Sequence, residues 1–260
     1  MKTSNTLMQK LANGEAVIGI GVHFTDAAIV ELSAFAGFDW VSLTLENSVF
    51  SLEHCATMQR AADACGIPVV VHVPRADDDR ILPLLHTGVD GVVLSRARTR
   101  ADVETLVDMC RFPPLGQRGA HPGVRSDGYG EIGYDAFVAG ADEALFVGIA
   151  IEDVEGCESA EEILSTPGLT MAWVGLYDLS HSLGVPNDLR HPKVMETLAK
   201  VVEAAKRHHI PIGLPGYAHS FTELRELGAT VFMSPGNDYT FLGKALRAHV
   251  DSARAELAAA

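Results

Sequence analysis

The sequence has few cysteines, a shortage of positive charge and no long apolar run. Its four cysteines, Cys55, Cys65, Cys110 and Cys157, include no C-x-x-C pair and none stands at zinc-like spacing from a histidine. The 20 Lys and Arg residues face 34 Asp and Glu, and the net charge of -14 argues against binding to nucleic acid or to an anionic membrane. No apolar run approaches the roughly 18 residues of a membrane span, and no signal peptide is recognisable. We therefore expect a soluble, cytoplasmic protein with reduced thiols.

Eight short apolar segments alternate with helical patterns along the chain. The apolar segments are residues 16–22, 38–43, 68–73, 91–95, 145–151, 171–175, 210–214 and 230–234. Helical spacing of apolar residues is found at 26–36, 52–64, 101–110, 192–207, 220–227 and 238–258. Because several strands are apolar almost throughout, as strands buried on both faces are, the alternation predicts one (β/α)8 (TIM) barrel domain over residues 1–260. The Gly- and Pro-rich stretch 111–134 is long enough to be a functional loop.

Two neighbouring predicted strands each end close to a carboxylate. The run 145–151 is followed by Glu152, and Asp178 comes shortly after the run 171–175. Catalytic groups of such barrels lie at the carboxyl ends of the strands, so the two side chains could face one Mg²⁺, Mn²⁺ or Co²⁺ ion, with a 2-oxo acid completing the coordination. The metal would stabilise an enolate of that acid. The alternative, equally supported by spacing alone, is that Asp178 caps a turn and Glu152 is solvated.

Several segments resemble, in order, the HpcH/HpaI aldolase family. They are "AGFDWVSLTLEN", "PVVVHVP", "TGVDGVVL", "RFPPLGQRG", "IAIED", "VGLYDLSHSLG" and "RHPKV". The resemblance implies a class II pyruvate aldolase, built as a (β/α)8 barrel that exchanges its last helix between subunits, commonly in hexamers. It implies that Glu152 and Asp178 hold the divalent metal, and that the pyruvate carboxylate lies near the backbone amides of Gly175, Leu176 and Tyr177.

The chain departs from the family pattern around this metal pair. The family's "D-G-E-H" is "T-L-E-N" here, so Thr44 replaces an Asp and Asn47 replaces the His that takes part in proton transfer. The family's "V-R-V-P" is "V-H-V-P", which puts His72 in place of an active-site Arg. The Asp that pairs with the catalytic His corresponds to His86. One histidine is lost and others appear, which suggests that the imidazole has been relocated.

The remaining candidates follow from these departures. We predict that His72 or His86 transfers the proton and that Asn47 orients a water or a hydroxyl group. The predicted substrate-binding residues are Gly175, Leu176, Tyr177, Arg96, Thr44 and Leu214. Each candidate has a simpler interpretation as well: His72 as a structural histidine, His86 as a cation favoured at a helix carboxyl end, and Arg96 as part of a solvated basic stretch.

Together these features predict a metal-dependent carbon–carbon lyase that acts on a 2-oxo acid and an aldehyde or related acceptor through a metal-bound enolate. The altered residues favour a non-standard substrate. The alternatives are a decarboxylase, a synthase or a hydratase built on the same site, or a ligand-binding paralogue with little turnover. The resemblance further predicts a homo-oligomer, a hexamer or a trimer.

Overall fold

Eight parallel strands close into a barrel in which each strand pairs with the next and β8 pairs with β1. The computed structural model describes residues 5–259, so residues 1–4 and 260 of the predicted domain lie outside the described residues. The strands are β1 (Val17–Gly21), β2 (Trp40–Thr44), β3 (Val69–Val73), β4 (Gly91–Leu94), β5 (Phe146–Ile151), β6 (Met171–Val174), β7 (Ile212–Pro215) and β8 (Val231–Met233). All eight predicted strands are present, and the predicted (β/α)8 fold is confirmed.

Helices follow the strands and surround the barrel. They are α1 (Thr6–Ala12), α2 (Ala28–Phe35), α3 (Leu52–Cys65), α4 (Ile81–His86), α5 (Arg100–Cys110), α6 (Tyr134–Ala144), α7 (Val154–Glu158), α8 (Ala160–Leu164), α9 (Leu176–Ser182), α10 (Pro192–Arg207), α11 (Phe221–Glu226) and α12 (Asp238–Ala259). The stretch 111–134 is irregular except for a 3-10 turn at Arg125–Asp127 and the first residue of α6, as its Gly and Pro content predicts. Among the described residues, no helix combines the length and the apolar character needed to cross a membrane.

Alternation of side chains along the strands fills the barrel and then lines its mouth. Every second residue of a strand faces the barrel axis. The lower interior is packed by Trp40, Val70, Phe146, Met171 and Val231, with Leu7 of α1 joining them at the amino end of the barrel. Further along the strands, the same inward phase brings side chains to the mouth: Ser42, Thr44, His72, Ala150, Glu152 and Trp173. The apolar core therefore forms the floor of a polar cavity.

The last helix, α12, is fastened to the barrel at its first residue. The buried Asp238 carboxylate accepts hydrogen bonds from the backbone amides of His23 (2.9 Å) and Phe24 (2.8 Å), just beyond β1. Asp238 is the only buried residue of α12. Apolar side chains further along the helix are exposed: Phe241, Leu242, Leu246, Val250 and Leu257. Within one chain, α12 thus leaves an apolar stripe uncovered.

Candidate functional site

A cavity of about 370 Å³ opens at the carboxyl ends of the strands. Most of the predicted site residues line it, although they come from distant parts of the chain. They are Thr44, Asn47, His72, Arg96, Glu152, Gly175, Leu176, Tyr177 and Asp178. Because parallel strands present their carboxyl ends at one edge, the barrel brings these residues together as the sequence predicts.

Leu214, a predicted substrate-binding residue, does not line this cavity. Its side chain is fully buried in the core between the sheet and the helices. Gly213 and Pro215 flank Leu214 on β7, and Pro215 lines the cavity. The side chain of Leu214 faces away from the cavity because neighbouring residues of a strand face opposite sides of the sheet.

His86 also lies away from the mouth. It is the last residue of α4, which leads into the amino end of β4, so it sits at the opposite end of the barrel from the cavity. Its ring is 6.3 Å from the ring of His121. Burial, followed by the charge of Arg118, lowers the pKa of His86. His86 therefore does not contribute to the cavity that a single chain forms, and its catalytic role stays a prediction.

Three carboxylates gather on one side of the cavity. Glu152 follows β5 and its side chain is 13% exposed, while Glu46 is 26% exposed and Asp178, in the first turn of α9, is 58% exposed. Burial, followed by the negative charges of Asp178 and Glu46, raises the pKa of Glu152 to about 7. Crowded acids of this kind are stabilised by a cation placed among them.

The backbone makes room for Glu152 at the start of α9. A Cβ atom added to Gly175 would lie 2.5 Å from Oε2 of Glu152, so the glycine leaves the space that this carboxylate occupies. Gly175 is also the N-cap of α9, and no side chain caps this helix. Asp178 therefore does not serve as the helix cap that the alternative interpretation required. Its carboxylate is left facing the cavity.

The backbone amides predicted to bind a substrate carboxylate are not equivalent. The Gly175 amide already donates to the Ile151 carbonyl at 3.0 Å, which continues the β5–β6 ladder. Leu176 and Tyr177 begin α9, where the first amides of a helix have no acceptor within the helix. Of the three predicted residues, Leu176 and Tyr177 thus retain free donor capacity, whereas Gly175 serves to shape the turn.

His72 lies on the cavity side of β3, in register with Thr44 on β2. Burial lowers its pKa to about 4. The imidazole is consequently neutral at neutral pH, with one nitrogen able to donate and the other able to accept a hydrogen bond. A neutral imidazole can exchange a proton with a substrate, but it cannot replace the permanent charge of an arginine.

Sequence reasoning missed several residues of the cavity wall. Trp173 faces the cavity from β6, and Tyr217 follows β7, with its ring centroid 5.0 Å from that of Tyr177. Asn237 reaches the wall from the segment before α12. The alternation of side chains along β6 could have identified Trp173. It stands two residues before Gly175 and therefore faces the same side of the sheet. Tyr217 and Asn237 lie in loops, where no periodic signal points to the cavity.

The donor set suits a hard divalent cation. Within residues 5–259, no group of three or more His, Cys, Asp and Glu side chains is disposed to hold a metal ion. The chain offers two nearby carboxylates, Glu152 and Asp178, in one solvent-accessible cavity. This matches the way Mg²⁺ is commonly bound, through one or two carboxylates with the remaining positions left to water and substrate oxygens. The residues present therefore fit such an ion.

A closed (β/α)8 barrel with an acidic cavity at the carboxyl ends of its strands defines a TIM-barrel protein with the site in the position typical of enzymes. Residues 18–216 match the family model of HpcH/HpaI aldolase/citrate lyase, and the chain belongs to this family.

Similar proteins match over most of their lengths. A 4-hydroxy-2-oxovalerate aldolase of Rhodococcus jostii (strain RHA1) is 28% identical, over 92% of each chain. The crystal structure of an HpcH/HpaI aldolase/citrate lyase family protein from Burkholderia cenocepacia J2315 has a TM-score of 0.89 and 28% identity, covering 96% of this chain and 100% of the other. The crystal structure of the citrate synthase SbnG has a TM-score of 0.86 and 27% identity, covering 98% and 99%. The resemblance stated from the sequence is confirmed.

We predict that Glu152→Gln makes the metal-free protein more stable at alkaline pH. The folded state holds the Glu152 proton up to about pH 7, so the stability of the wild type falls as pH rises from the ordinary glutamate pKa to that value and stays low above it. Removing the charge should raise the free energy of unfolding by about 1–3 kcal/mol at pH 8 and change it little near pH 4.

Denaturant unfolding in EDTA at pH 4, 6 and 8 would measure this effect. Glu131→Gln, a change of an exposed carboxylate in the 111–134 stretch, is the control. A Glu152→Gln protein that is no more stable than the wild type at pH 8 would contradict the prediction.

Proposed function

We propose that this protein is a carbon–carbon lyase, an aldolase, that acts on a 2-oxo acid with the help of a divalent cation. The observation that carries the proposal is the convergence of Glu152 and Asp178 on one cavity at the barrel mouth, in a chain of the HpcH/HpaI aldolase/citrate lyase family. The aldolase activity of the Rhodococcus relative supports it. The retro-aldol direction would release a 2-oxo acid and an aldehyde or related acceptor.

Glu152 and Asp178 would hold the cation, for which Mg²⁺, Mn²⁺ and Co²⁺ are the candidates. When bound, the cation supplies a Lewis acid that polarises the keto group of the acid. Glu46, on the same side of the cavity, adds negative charge that favours a divalent ion. Binding requires Glu152 to lose its proton, so the affinity for the ion is expected to fall at acidic pH.

The other residues of the cavity would position the acid and manage its protons. The amides of Leu176 and Tyr177 are available to a carboxylate, and Thr44 offers a hydroxyl group in the cavity wall at the end of β2. His72, as a neutral imidazole, would exchange the proton at the carbon next to the keto group or at the acceptor oxygen. Asn47 would orient a hydroxyl group or a water.

We predict that the protein catalyses exchange of the methyl protons of pyruvate with deuterium when a divalent cation is present. Formation of the enolate is the half of the aldol reaction that needs no acceptor. In Asp178→Ala the exchange should fall to the background rate, because the cation loses a ligand. Proton NMR of pyruvate in D₂O, with stripped protein and added Mg²⁺, Mn²⁺ or Co²⁺, would measure it.

Glu155→Gln is the matched control, because Glu155 is an exposed carboxylate close to Glu152 that does not line the cavity. Exchange independent of added cation, or retained in Asp178→Ala, would contradict the metal role. Cation binding without exchange would instead direct attention to another acid, or to decarboxylase, synthase or hydratase chemistry on the same site.

We also predict that His72→Gln slows the exchange by about 100-fold or more, the range expected when a general acid or base is removed. Affinity for Mn²⁺ should stay near that of the wild type, because the imidazole is not one of the two proposed ligands. His181→Gln, which changes an exposed histidine at the end of α9, serves as the control. An exchange rate equal to that of the wild type would assign the proton transfer to another group.

We further propose that the chain assembles into a trimer or hexamer in which α12 packs on a neighbouring subunit. The uncovered apolar stripe of α12 supports this, because exposed apolar side chains in such a row are typical of an interface. Exchange of a terminal helix between identical subunits would cover the stripe.

Replacing Leu242 and Leu246 together by Glu should reduce the molar mass in solution, since charges on the stripe cannot be buried without a large cost. Light scattering after size-exclusion chromatography would measure it. Lys244→Glu introduces the same side chain on the opposite side of α12, about 200° around the helix from Leu242, and should leave the mass unchanged. A wild-type protein that is already a monomer would overturn the proposal.

A further inference from the structure

Arg96 stands where the chain turns out of β4 into the mouth of the barrel. Its backbone φ is 55°, in the left-handed region that a residue with a side chain adopts at a cost. In this conformation the side chain of Arg96 turns toward the Glu152 carboxylate. The left-handed turn therefore brings the guanidinium of Arg96 close to Glu152.

The guanidinium lies among all three carboxylates of the cavity. Its Nε atom is 3.6 Å from Oε1 of Glu152 and 4.0 Å from Oε1 of Glu46, and Nη2 is 4.0 Å from Oδ1 of Asp178. These separations are those of ion pairs but are too long for direct hydrogen bonds. The positive charge of Arg96 thus interacts with three carboxylates and forms a direct hydrogen bond with none of them.

Arg98, two residues later, shows the contrast. Its Nε atom donates to Oδ2 of Asp153 at 2.6 Å, a short charge-assisted hydrogen bond. The Arg96 side chain makes no comparable bond and is 54% exposed, so it can swing toward solvent without breaking one. Arg96 acts on the carboxylates by its charge, whereas Arg98 is held by a specific partner.

We propose that Arg96 is the resident counter-cation of the cluster formed by Glu46, Glu152 and Asp178, and that a divalent cation must displace its guanidinium to bind there. The proposal rests on the proposed metal role of Glu152 and Asp178. A guanidinium and a divalent ion within a few ångströms repel each other strongly, and both require the same oxygen atoms. The chain thereby lowers its own affinity for the ion, and in the absence of the ion Arg96 offsets part of the negative charge of the three acids.

Displacement also leaves Arg96 at the rim of the cavity with its charge unpaired. A substrate carboxylate entering the cavity would attract it there. Arg96 would then stabilise the complex that contains both the ion and the acid. When the acid is absent, Arg96 would lower the affinity for the ion.

Calorimetric titration of the metal-stripped full-length protein with Mn²⁺ at low ionic strength would test the competition. Arg96→Met keeps much of the side-chain volume without the charge, and we expect about tenfold tighter Mn²⁺ binding. Arg96→Lys keeps the charge and should stay close to the wild type. The gain in Arg96→Met should shrink as salt is added, because the repulsion is screened.

Arg98→Met is the matched control. It removes the same charge only two residues from Arg96, but from a side chain that is paired with Asp153. A second measurement guards against misfolding: Mn²⁺ should raise the melting temperature of Arg96→Met more than that of the wild type. Mn²⁺ affinity that is unchanged or weaker in Arg96→Met, or equally tightened in Arg98→Met, would overturn the proposal.

These outcomes are separate from those of the pyruvate exchange. Tighter Mn²⁺ binding by Arg96→Met, together with no exchange by any variant, would support the role of Arg96 and reject pyruvate as the substrate. Exchange by the wild type, with no change of Mn²⁺ affinity in Arg96→Met, would retain the aldolase reaction and reject the competition. Absence of Mn²⁺ binding in every variant would reject both the metal role and the proposal on Arg96.

Discussion

The mutual repulsion of three carboxylates at the barrel mouth is the constraint on which the rest of the site depends. Glu46, Glu152 and Asp178 are carried by different strands and loops, and the closed barrel holds them together regardless of their preference for water. The core below them makes this possible, because the packing of residues such as Trp40 and Phe146 fixes the strands in register. The fold thus stabilises an arrangement of charges that would disperse in an open chain.

The same constraint accounts for the local irregularities around the cavity. A side chain at position 175 would collide with Glu152, and Arg96 adopts a left-handed backbone beside the same carboxylate. Such departures from regular geometry persist when the surrounding structure determines them, and they gather at functional sites. Asp178, by contrast, occupies an ordinary position in the first turn of a helix, where a negative charge is favoured.

The sequence was sufficient to predict the eight strands and to place Glu152 and Asp178 near the carboxyl ends of two of them, because both depend on patterns local to each strand. It failed where a prediction needed the phase of a strand or the distance between loops. One residue of strand phase turns Leu214 into the core, and His86 was proposed from family resemblance although α4 ends away from the mouth. The position of Arg96 among the acids could not be predicted either, because it depends on a left-handed turn that no sequence pattern marks.

Asp238 determines where the length of the carboxyl-terminal region can change. Its carboxylate joins the first turn of α12 to the amides after β1, and the neighbouring Tyr239 packs edge to face on the ring of His23, 5.3 Å away. An insertion or deletion between β8 and Asp238 would rotate α12 and would also shift the rim of the cavity. Residues added or removed at the far end of α12 would leave the cavity untouched, so variation in length among related chains is expected to concentrate there.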